Sequence, residues 1–173
     1  MSEPKDTEFI VHLPKENTDS YSGFTRKGTK AGNPEEGVLE LLLQDKVIDP
    51  VRFPRAVDLF AGDGAVAERL IRNGWKAENV TCIDIAKPKS LIADVKWRYL
   101  DLTAYASALA RGEIPSSEEF DLAFMTYGSY HLPIDSDKPE TFVGSFVKEN
   151  GIIIVEGDIF RKEKNGMLIP VSL

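Results

Sequence analysis

The chain has 173 residues, of which 42% are hydrophobic and 28% charged, and its formal net charge is −7. This size and composition are typical of one soluble globular domain and exclude collagen, coiled-coil and disordered classes. The acidic balance disfavours non-specific binding to nucleic acid or membrane surfaces, which attract positively charged proteins. No apolar run approaches the ~18 residues of a membrane helix, and the polar N-terminus is unlike a secretory signal, so a cytoplasmic protein is expected.

Cys82 is the only cysteine of the chain. A single cysteine excludes an intramolecular disulfide and a multi-cysteine zinc site, and no metal site is expected. Because Cys82 lies inside an apolar segment, we expect an inert buried thiol.

Composition divides the chain into an arm and a domain. Residues 1–33 are rich in Gly, Pro, Ser, Thr and Asn, which predicts a flexible arm or lid. Within the arm, the basic cluster Arg26–Lys30 suits a solvated surface, with phosphate contacts or closure over a site as alternatives. The domain, residues 34–173, begins with a helix over roughly 34–45, where Asn33 is a good N-cap and Pro34 suits the first helical position.

Strand and helix patterns alternate through the domain. Apolar runs predict strands at Ala56–Phe60, Val80–Ile85, Lys96–Leu100, Phe120–Thr126 and Ile152–Val155. Helical spacing predicts a helix carrying Ala67, Leu70 and Ile71, a second over Ala104–Arg111, and a third marked by Phe142, Val143, Phe146 and Val147. This alternation predicts a doubly wound α/β fold, in which helices flank a mostly parallel sheet on both faces.

The C-terminal tail is too short for another strand–helix–strand crossover. Its Lys164-Asn165-Gly166 segment is typical of a hairpin turn. The last strand is therefore expected to run antiparallel.

A glycine loop joins the first strand of this alternation to its helix. Gly62 and Gly64 allow the backbone to approach a ligand closely, and Asp84 closes the next strand about 20 residues further on, where an acid accepts hydrogen bonds from a ribose diol. This spacing alone also fits an NAD or NADP site. Lys87 and Lys89 are the residues that would then face a 2′-phosphate.

Charge separates the two cofactor classes. Asp58 precedes the glycine loop and Asp63 lies inside it, with no Lys or Arg nearby. Two carboxylates would repel a pyrophosphate, which prefers positive potential. They would attract a ligand that carries an ammonium group and a sulfonium, which favours S-adenosylmethionine over NAD.

With these features, the sequence resembles the class I S-adenosylmethionine-dependent methyltransferases over about residues 55–155. Segment 58–64 (DLFAGDG) resembles the first motif of that family, segment 82–85 (CIDI) the second, and segment 99–102 (YLDL) the third. Segment 120–126 (FDLAFMT) is similar to the fourth strand of the family. The resemblance implies a Rossmann-like methyltransferase fold with S-adenosylmethionine as cofactor.

The resemblance also implies a set of cofactor-binding residues. Asp58 would bind the ammonium, Asp84 the ribose hydroxyls, and Asp101 would lie near the adenine amino group. The whole implied set is Asp58, Phe60, Ala61, Gly62, Asp63, Gly64, Asp84, Ile85, Asp101, Leu102 and Thr126. The alternatives are ordinary structural roles: Asp58 and Asp101 as caps of nearby amides, and Asp63 as a turn acid.

Residues 127–132 would lie where methyl transfer occurs. His131 is a candidate general base and Tyr127 and Tyr130 are candidate substrate contacts. The alternative is that His131 opens a short helix and that the tyrosines only pack.

The chain also departs from the family pattern. Methyltransferases of this class usually have a seven-stranded sheet ending in a helix and an antiparallel hairpin, and this chain is expected to stop one helix and about one strand short. It has no insertion that would form a substrate cap, so substrate recognition would rest on the arm, on residues 127–137, or on a homodimer or partner chain.

The methyl acceptor is expected to be an O or N nucleophile of a small molecule or protein, with RNA still possible. Thr126-Tyr127-Gly128-Ser129 stands where base-amine methyltransferases have an acid or Asn followed by two prolines and an aromatic residue. Two other functions remain open at this point, a non-catalytic binding or regulatory module and an NAD(P)-dependent oxidoreductase.

Overall fold

The computed structural model describes residues 34–88, 90–126 and 128–173, and these form one seven-stranded sheet flanked by helices. The strands are β1 (Ala56–Leu59), β2 (Val80–Asp84), β3 (Lys96–Tyr99), β4 (Phe120–Met125), β5 (Val147–Val155), β6 (Asp158–Lys162) and β7 (Leu168–Pro170). The α-helices are α1 (Pro34–Gln44), α2 (Ala65–Arg72), α3 (Leu102–Ala110) and α4 (Pro139–Gly144). The predicted arm, residues 1–33, lies outside the described residues.

The strand order is β3-β2-β1-β4-β5-β6-β7. Strands β1 to β5 are parallel, whereas β6 and β7 are antiparallel to their neighbours. The chain moves outward from β1 to β3 and then returns to place β4 on the other side of β1. The loops that follow β1 and β4 therefore diverge, and a crevice at this reversal is where open α/β sheets bind ligands. These observations confirm the predicted α/β class with a mostly parallel sheet.

Helices cover both faces of the sheet, as predicted. Helices α1 and α2 pack on one face, which we call the α2 face, around buried side chains such as Leu42, Leu70 and Phe124. Helices α3 and α4 pack on the opposite face around Tyr105, Phe142 and other buried side chains. Among the described residues, no helix is long and apolar enough to cross a membrane.

Most predicted element bounds hold within about two residues. Strand β1 ends before the predicted Phe60, because Phe60 adopts a left-handed backbone with φ 55°. Helix α3 begins at Leu102 rather than Ala104, because Asp101 caps it by accepting the Ala104 amide at 3.0 Å.

The predicted helix through Phe146 and Val147 is wrong. Helix α4 ends at Gly144, where the Ser145 hydroxyl bonds the Phe142 carbonyl at 2.6 Å, and Val147 already belongs to β5. The pairing of β5 with β4 is irregular at Asn150, whose φ is 66°, and the regular ladder resumes at Ile152. The sequence predicts a strand only over Ile152–Val155 and misses the first five residues of β5.

The expectation that one strand would be missing is also wrong, since the sheet has seven strands. Glu156 and Gly157 form a two-residue turn with φ values of 48° and 96°, so β6 returns directly beside β5. Positive φ at both central residues matches the twist of a tight hairpin. The second hairpin turns at Lys164–Gly166, and its antiparallel last strand was predicted.

Lys162 joins the end of β6 to the start of β5. Its side chain is buried, and its ammonium donates to Glu118 Oε1 at 2.7 Å and to the carbonyls of Gly144 and Val147 at 3.0 and 2.8 Å. Lys162→Ala would leave these acceptors unpaired, so we expect the free energy of unfolding to fall by about 2–4 kcal/mol. The exposed Lys164→Ala is the control, with an expected change of less than about 0.5 kcal/mol. Equal urea midpoints for the two variants would contradict this role.

Candidate functional site

The glycine turn, which we define as residues 61–64, connects β1 to α2 at the carboxyl edge of the parallel strands. Gly62 and Gly64 have φ values of 55° and 80°, a left-handed conformation that favours glycine. The Ala61 amide donates to the Ile83 carbonyl at 3.1 Å, and the Gly64 amide donates back to Ala61 at 2.8 Å. The turn is therefore fixed to the end of β2 and opens directly into α2.

Asp58 lies on the α2 face of β1, because strand side chains alternate and Ala56 belongs to the core on that face. Its carboxyl group is fully enclosed, with 1% of the residue exposed, and Oδ1 has no hydrogen-bond partner. Burial raises the pKa of Asp58 well above its usual range, and the nearby Asp84 charge raises this pKa further. A buried carboxyl oxygen without a partner is costly, and such groups call for a specific explanation.

Asp84 ends β2 on the same face as Cys82, the register partner of Asp58. Its carboxylate accepts the Gly62 amide at 2.8 Å and the Ala86 amide at 3.0 Å. Burial raises the pKa of Asp84, although these amide bonds and the nearby His131 act in the opposite direction. Asp84 therefore holds the glycine turn in place as well as lying where a ribose contact was predicted.

Trp97 is a residue of this site that the sequence analysis missed. It lies on β3 in register with Cys82, so Asp58, Cys82 and Trp97 form one row across the α2 face. An ideal Cβ on Gly64 would lie 3.1 Å from Cη2 of Trp97, so the indole ring supports the turn from beneath. The indole nitrogen is buried without a partner, like Oδ1 of Asp58. No sequence signal joined Trp97 to the turn, because their contact depends on strand register.

An aromatic wall, formed by Phe60, Tyr130 and His131, lies where the loops after β1 and β4 diverge. The Phe60 and His131 rings stack with centroids 5.8 Å apart, and the Tyr130 and His131 centroids are 4.1 Å apart. Gly128 permits this arrangement, because an ideal Cβ there would lie 2.5 Å from Cδ2 of Phe60. The structure thus brings the predicted Phe60, Tyr130 and His131 together, with His131 close enough to Asp84 to affect its pKa.

Side-chain bonds fix the loop that carries the wall. The Thr103 hydroxyl donates to the His131 carbonyl at 3.1 Å, and the Ser107 hydroxyl donates to Asp135 at 3.0 Å, so α3 holds one side of the loop. On the other side, the Ser129 amide donates to Glu156 Oε1 at 3.1 Å. His131 is the last residue of a short 3-10 helix over Ser129–His131, whereas the structural alternative had this residue open a helix.

The other predicted cofactor-binding residues lie in different parts of the structure and do not form one cluster. Asp63 is half-buried within the glycine turn, Ile85 is 50% exposed just beyond β2, and Thr126 is buried at the end of β4. Asp101 caps α3, and the side chain of Leu102, the first residue of α3, lies in the core between the sheet and helices α3 and α4, away from the α2 face. Tyr127 lies outside the described residues.

Gly128→Ala provides a test of the aromatic wall. The added methyl group would collide with the Phe60 ring, so we expect a loss of about 2–4 kcal/mol in the free energy of unfolding. Gly112→Ala is the control, because Gly112 also has positive φ but has no atom within 4 Å of the added methyl group. Its expected cost is backbone strain alone, about 1–2 kcal/mol. Equal urea unfolding curves for the two variants would show that Phe60 does not pack against Gly128.

A groove of about 610 Å³ lies between α4 and the last hairpin, away from the glycine turn. Lys162 lines it, but all three protons of its ammonium are already donated to protein acceptors. In the described parts of the chain, no three His, Cys, Asp or Glu side chains come together as a metal-binding group. Most of the predicted site residues lie instead at the carboxyl edge of the sheet.

Two carboxyl groups lie close to the glycine turn at the carboxyl edge of the sheet. A buried carboxyl oxygen without a partner, Asp58 Oδ1, and the carboxylate of Asp84 lie beside the glycine turn. No protein-family model matches the chain, and a search of curated proteins finds no significant match.

Proposed function

We propose that this protein binds S-adenosylmethionine at the glycine turn and transfers its methyl group to an O or N nucleophile. The observation that carries the proposal is the buried carboxyl of Asp58, whose Oδ1 lacks a partner and whose pKa is raised by burial and further by the charge of another acid, Asp84. An ammonium group can pair with Asp58 once that carboxyl ionises, whereas the negative charge of Asp84 would repel a pyrophosphate. This electrostatic preference separates the proposal from an NAD(P)-dependent oxidoreductase.

The residues present fit such a cofactor. Asp58 would accept the ammonium of the methionine part, and Asp84 would accept the ribose hydroxyls while it holds the Gly62 amide. The positive φ angles of Gly62 and Gly64 allow the turn to follow the ligand closely. The strand order over β1–β5 is consistent with a Rossmann-like fold, although the C-terminal hairpins follow β5 without an intervening helix.

S-adenosylmethionine supplies an electrophilic methyl group, so the protein has to align the acceptor and exclude water. The aromatic wall would form one side of the acceptor site. His131 would serve as base for an acceptor that must lose a proton, with Tyr130 beside it. Because the loop after β4 is bonded to α3 and to Glu156, these side chains would be held in fixed positions.

Trp97 allows the ligand class to be tested at the site itself. The chain has two tryptophans: Trp97 contacts the glycine turn, whereas the Trp75 indole donates to the Phe53 carbonyl in the core. We expect S-adenosylmethionine and S-adenosylhomocysteine to change the emission of Trp97, and NAD and NADP to leave it unchanged.

Trp97→Phe is the matched control, because it retains Trp75 and should abolish the fluorescence change. A change produced by NAD or NADP alone would overturn the proposal in favour of an oxidoreductase. Cofactor binding without methyl transfer to any acceptor would favour a non-catalytic binding module.

A further inference from the structure

Asp58 is enclosed by apolar surroundings as well as by the sheet. Its register partner on β2 is Cys82 and its register partner on β4 is Phe124, both buried. Above it, the inward side chains of α2 are apolar, including Val66 and Leu70. The carboxyl group therefore has little access to water with which to solvate a negative charge.

The charged groups around Asp58 do not compensate for the cost of ionising a buried carboxyl group. Asp84 faces it from β2 and carries the same sign of charge, and His131 acts on Asp84. On α2 and α1, Arg72 bonds Glu68 at 3.0 Å and Arg69 bonds Glu40 at 2.7 Å. Burial and the Asp84 charge both raise the pKa of Asp58, and no described cation lowers it.

We propose that ligand binding at the glycine turn releases a proton from Asp58. This inference rests on the proposed function, since it assigns a linkage to the same site. In the free protein Asp58 is a neutral carboxylic acid. When the ligand's ammonium group arrives, the Asp58 O–H bond breaks, the proton passes to solvent, and the carboxylate forms an ion pair with the ammonium.

This linkage makes affinity depend on pH. Only the fraction of protein with ionised Asp58 is competent to bind, so the apparent dissociation constant falls about tenfold for each pH unit gained below the pKa of Asp58. The dependence ends above that pKa. Asp84 contributes less to it, because two backbone amides already stabilise its charged form.

Calorimetry in two buffers measures the proton directly. S-adenosylhomocysteine would be titrated into the full chain at about pH 6 in phosphate and in imidazole, which both take up protons near this pH and differ widely in ionisation enthalpy. The expected result is an observed enthalpy that depends on the buffer and corresponds to about one released proton per ligand. The matched ligand is 5′-methylthioadenosine, which lacks the ammonium group and should release none.

Carbon-13 NMR of the aspartyl carboxyls in the free protein tests the other half of the inference. The signal that disappears in Asp58→Asn should titrate at a higher pH than the signals of the exposed aspartates, because burial raises the pKa of Asp58. An Asp58 signal that titrates together with those of the exposed aspartates, or binding of S-adenosylhomocysteine with no buffer dependence, would overturn the inference and leave the proposed function standing. Absence of binding by S-adenosylmethionine and S-adenosylhomocysteine would overturn both.

Discussion

Asp58→Asn is expected to stabilise the free protein while it removes cofactor binding. The unfolded chain gains free energy by ionising Asp58 in water, and the folded chain cannot do so because the carboxyl is enclosed. Asn has nearly the same shape and does not ionise, so the penalty disappears. We expect a gain of at least about 1 kcal/mol at neutral pH, which raises Tm by about 2–4 °C for a chain of this size.

The pH dependence of this gain has a definite sign. The pKa of Asp58 is higher in the folded protein than its ordinary value of 3.8, so folded protein holds this proton more tightly than unfolded protein. The contribution of Asp58 to stability is complete below the ordinary value and is lost as pH rises towards the folded value. Asp58→Asn should therefore match the wild type in acid and exceed it increasingly towards neutral pH.

Thermal unfolding across this range, combined with calorimetry, measures both effects. Asp45→Asn is the control, because Asp45 is exposed and its substitution should change neither Tm nor binding. A lower Tm for Asp58→Asn at neutral pH would contradict the electrostatic interpretation of the buried acid. Unchanged affinity for S-adenosylmethionine would contradict its role as the ammonium acceptor.

Asp84→Ala is expected to weaken S-adenosylmethionine binding by about 10–100-fold. The substitution removes the predicted ribose contact and also frees the Gly62 amide, which Asp84 accepts at 2.8 Å. Each lost hydrogen bond to a charged group costs about 1.5–3 kcal/mol. Part of this loss is offset, because removing the Asp84 charge makes ionisation of the nearby Asp58 less costly. Asp84→Asn retains an acceptor oxygen for Gly62, so we expect a loss between those of the wild type and the alanine variant.

Calorimetric titration of the three proteins checks this order. Asp94→Asn is the matched control, because Asp94 lies in the exposed segment between β2 and β3 and its left-handed φ of 65° is tolerated by Asn. Equal affinities for Asp84→Ala and Asp94→Asn would show that the end of β2 does not contact the ligand.

Much of the framework follows from local sequence patterns. The apolar strands and their glycine turn predict a parallel sheet, and the carboxyl ends of β1 and β2 then bring Asp58, the turn and Asp84 together. The last hairpin is likewise predicted from local sequence, because the Asn165-Gly166 pair by itself is typical of a tight turn between antiparallel strands.

The errors arise where tertiary contacts override local pattern. Phe146 and Val147 have helical spacing with Phe142 and Val143, yet Ser145 ends the helix and Val147 pairs with Phe120. The turn at Glu156-Gly157 lacks the usual Asn or Asp, so it gave no hairpin signal. The turn forms because β6 pairs directly with β5.

The site shows the same division. The acids and glycines were predicted because their roles depend on spacing along the chain. The support of Gly64 by Trp97 and the packing of Phe60 on Gly128 join distant segments, and both depend on strand register and loop direction. Contacts between distant segments therefore determine the shape of the site, whereas the acids found by their spacing determine its charge.

Calorimetric titration of the wild-type protein with S-adenosylmethionine, S-adenosylhomocysteine, NAD and NADP tests the acidic character of the site most directly. A buried acid without a cation predicts binding of the first two ligands with micromolar affinity and no binding of the two diphosphates. Tight binding of NAD or NADP without S-adenosylmethionine would contradict it, because a diphosphate would then occupy a turn flanked by Asp58 and Asp84.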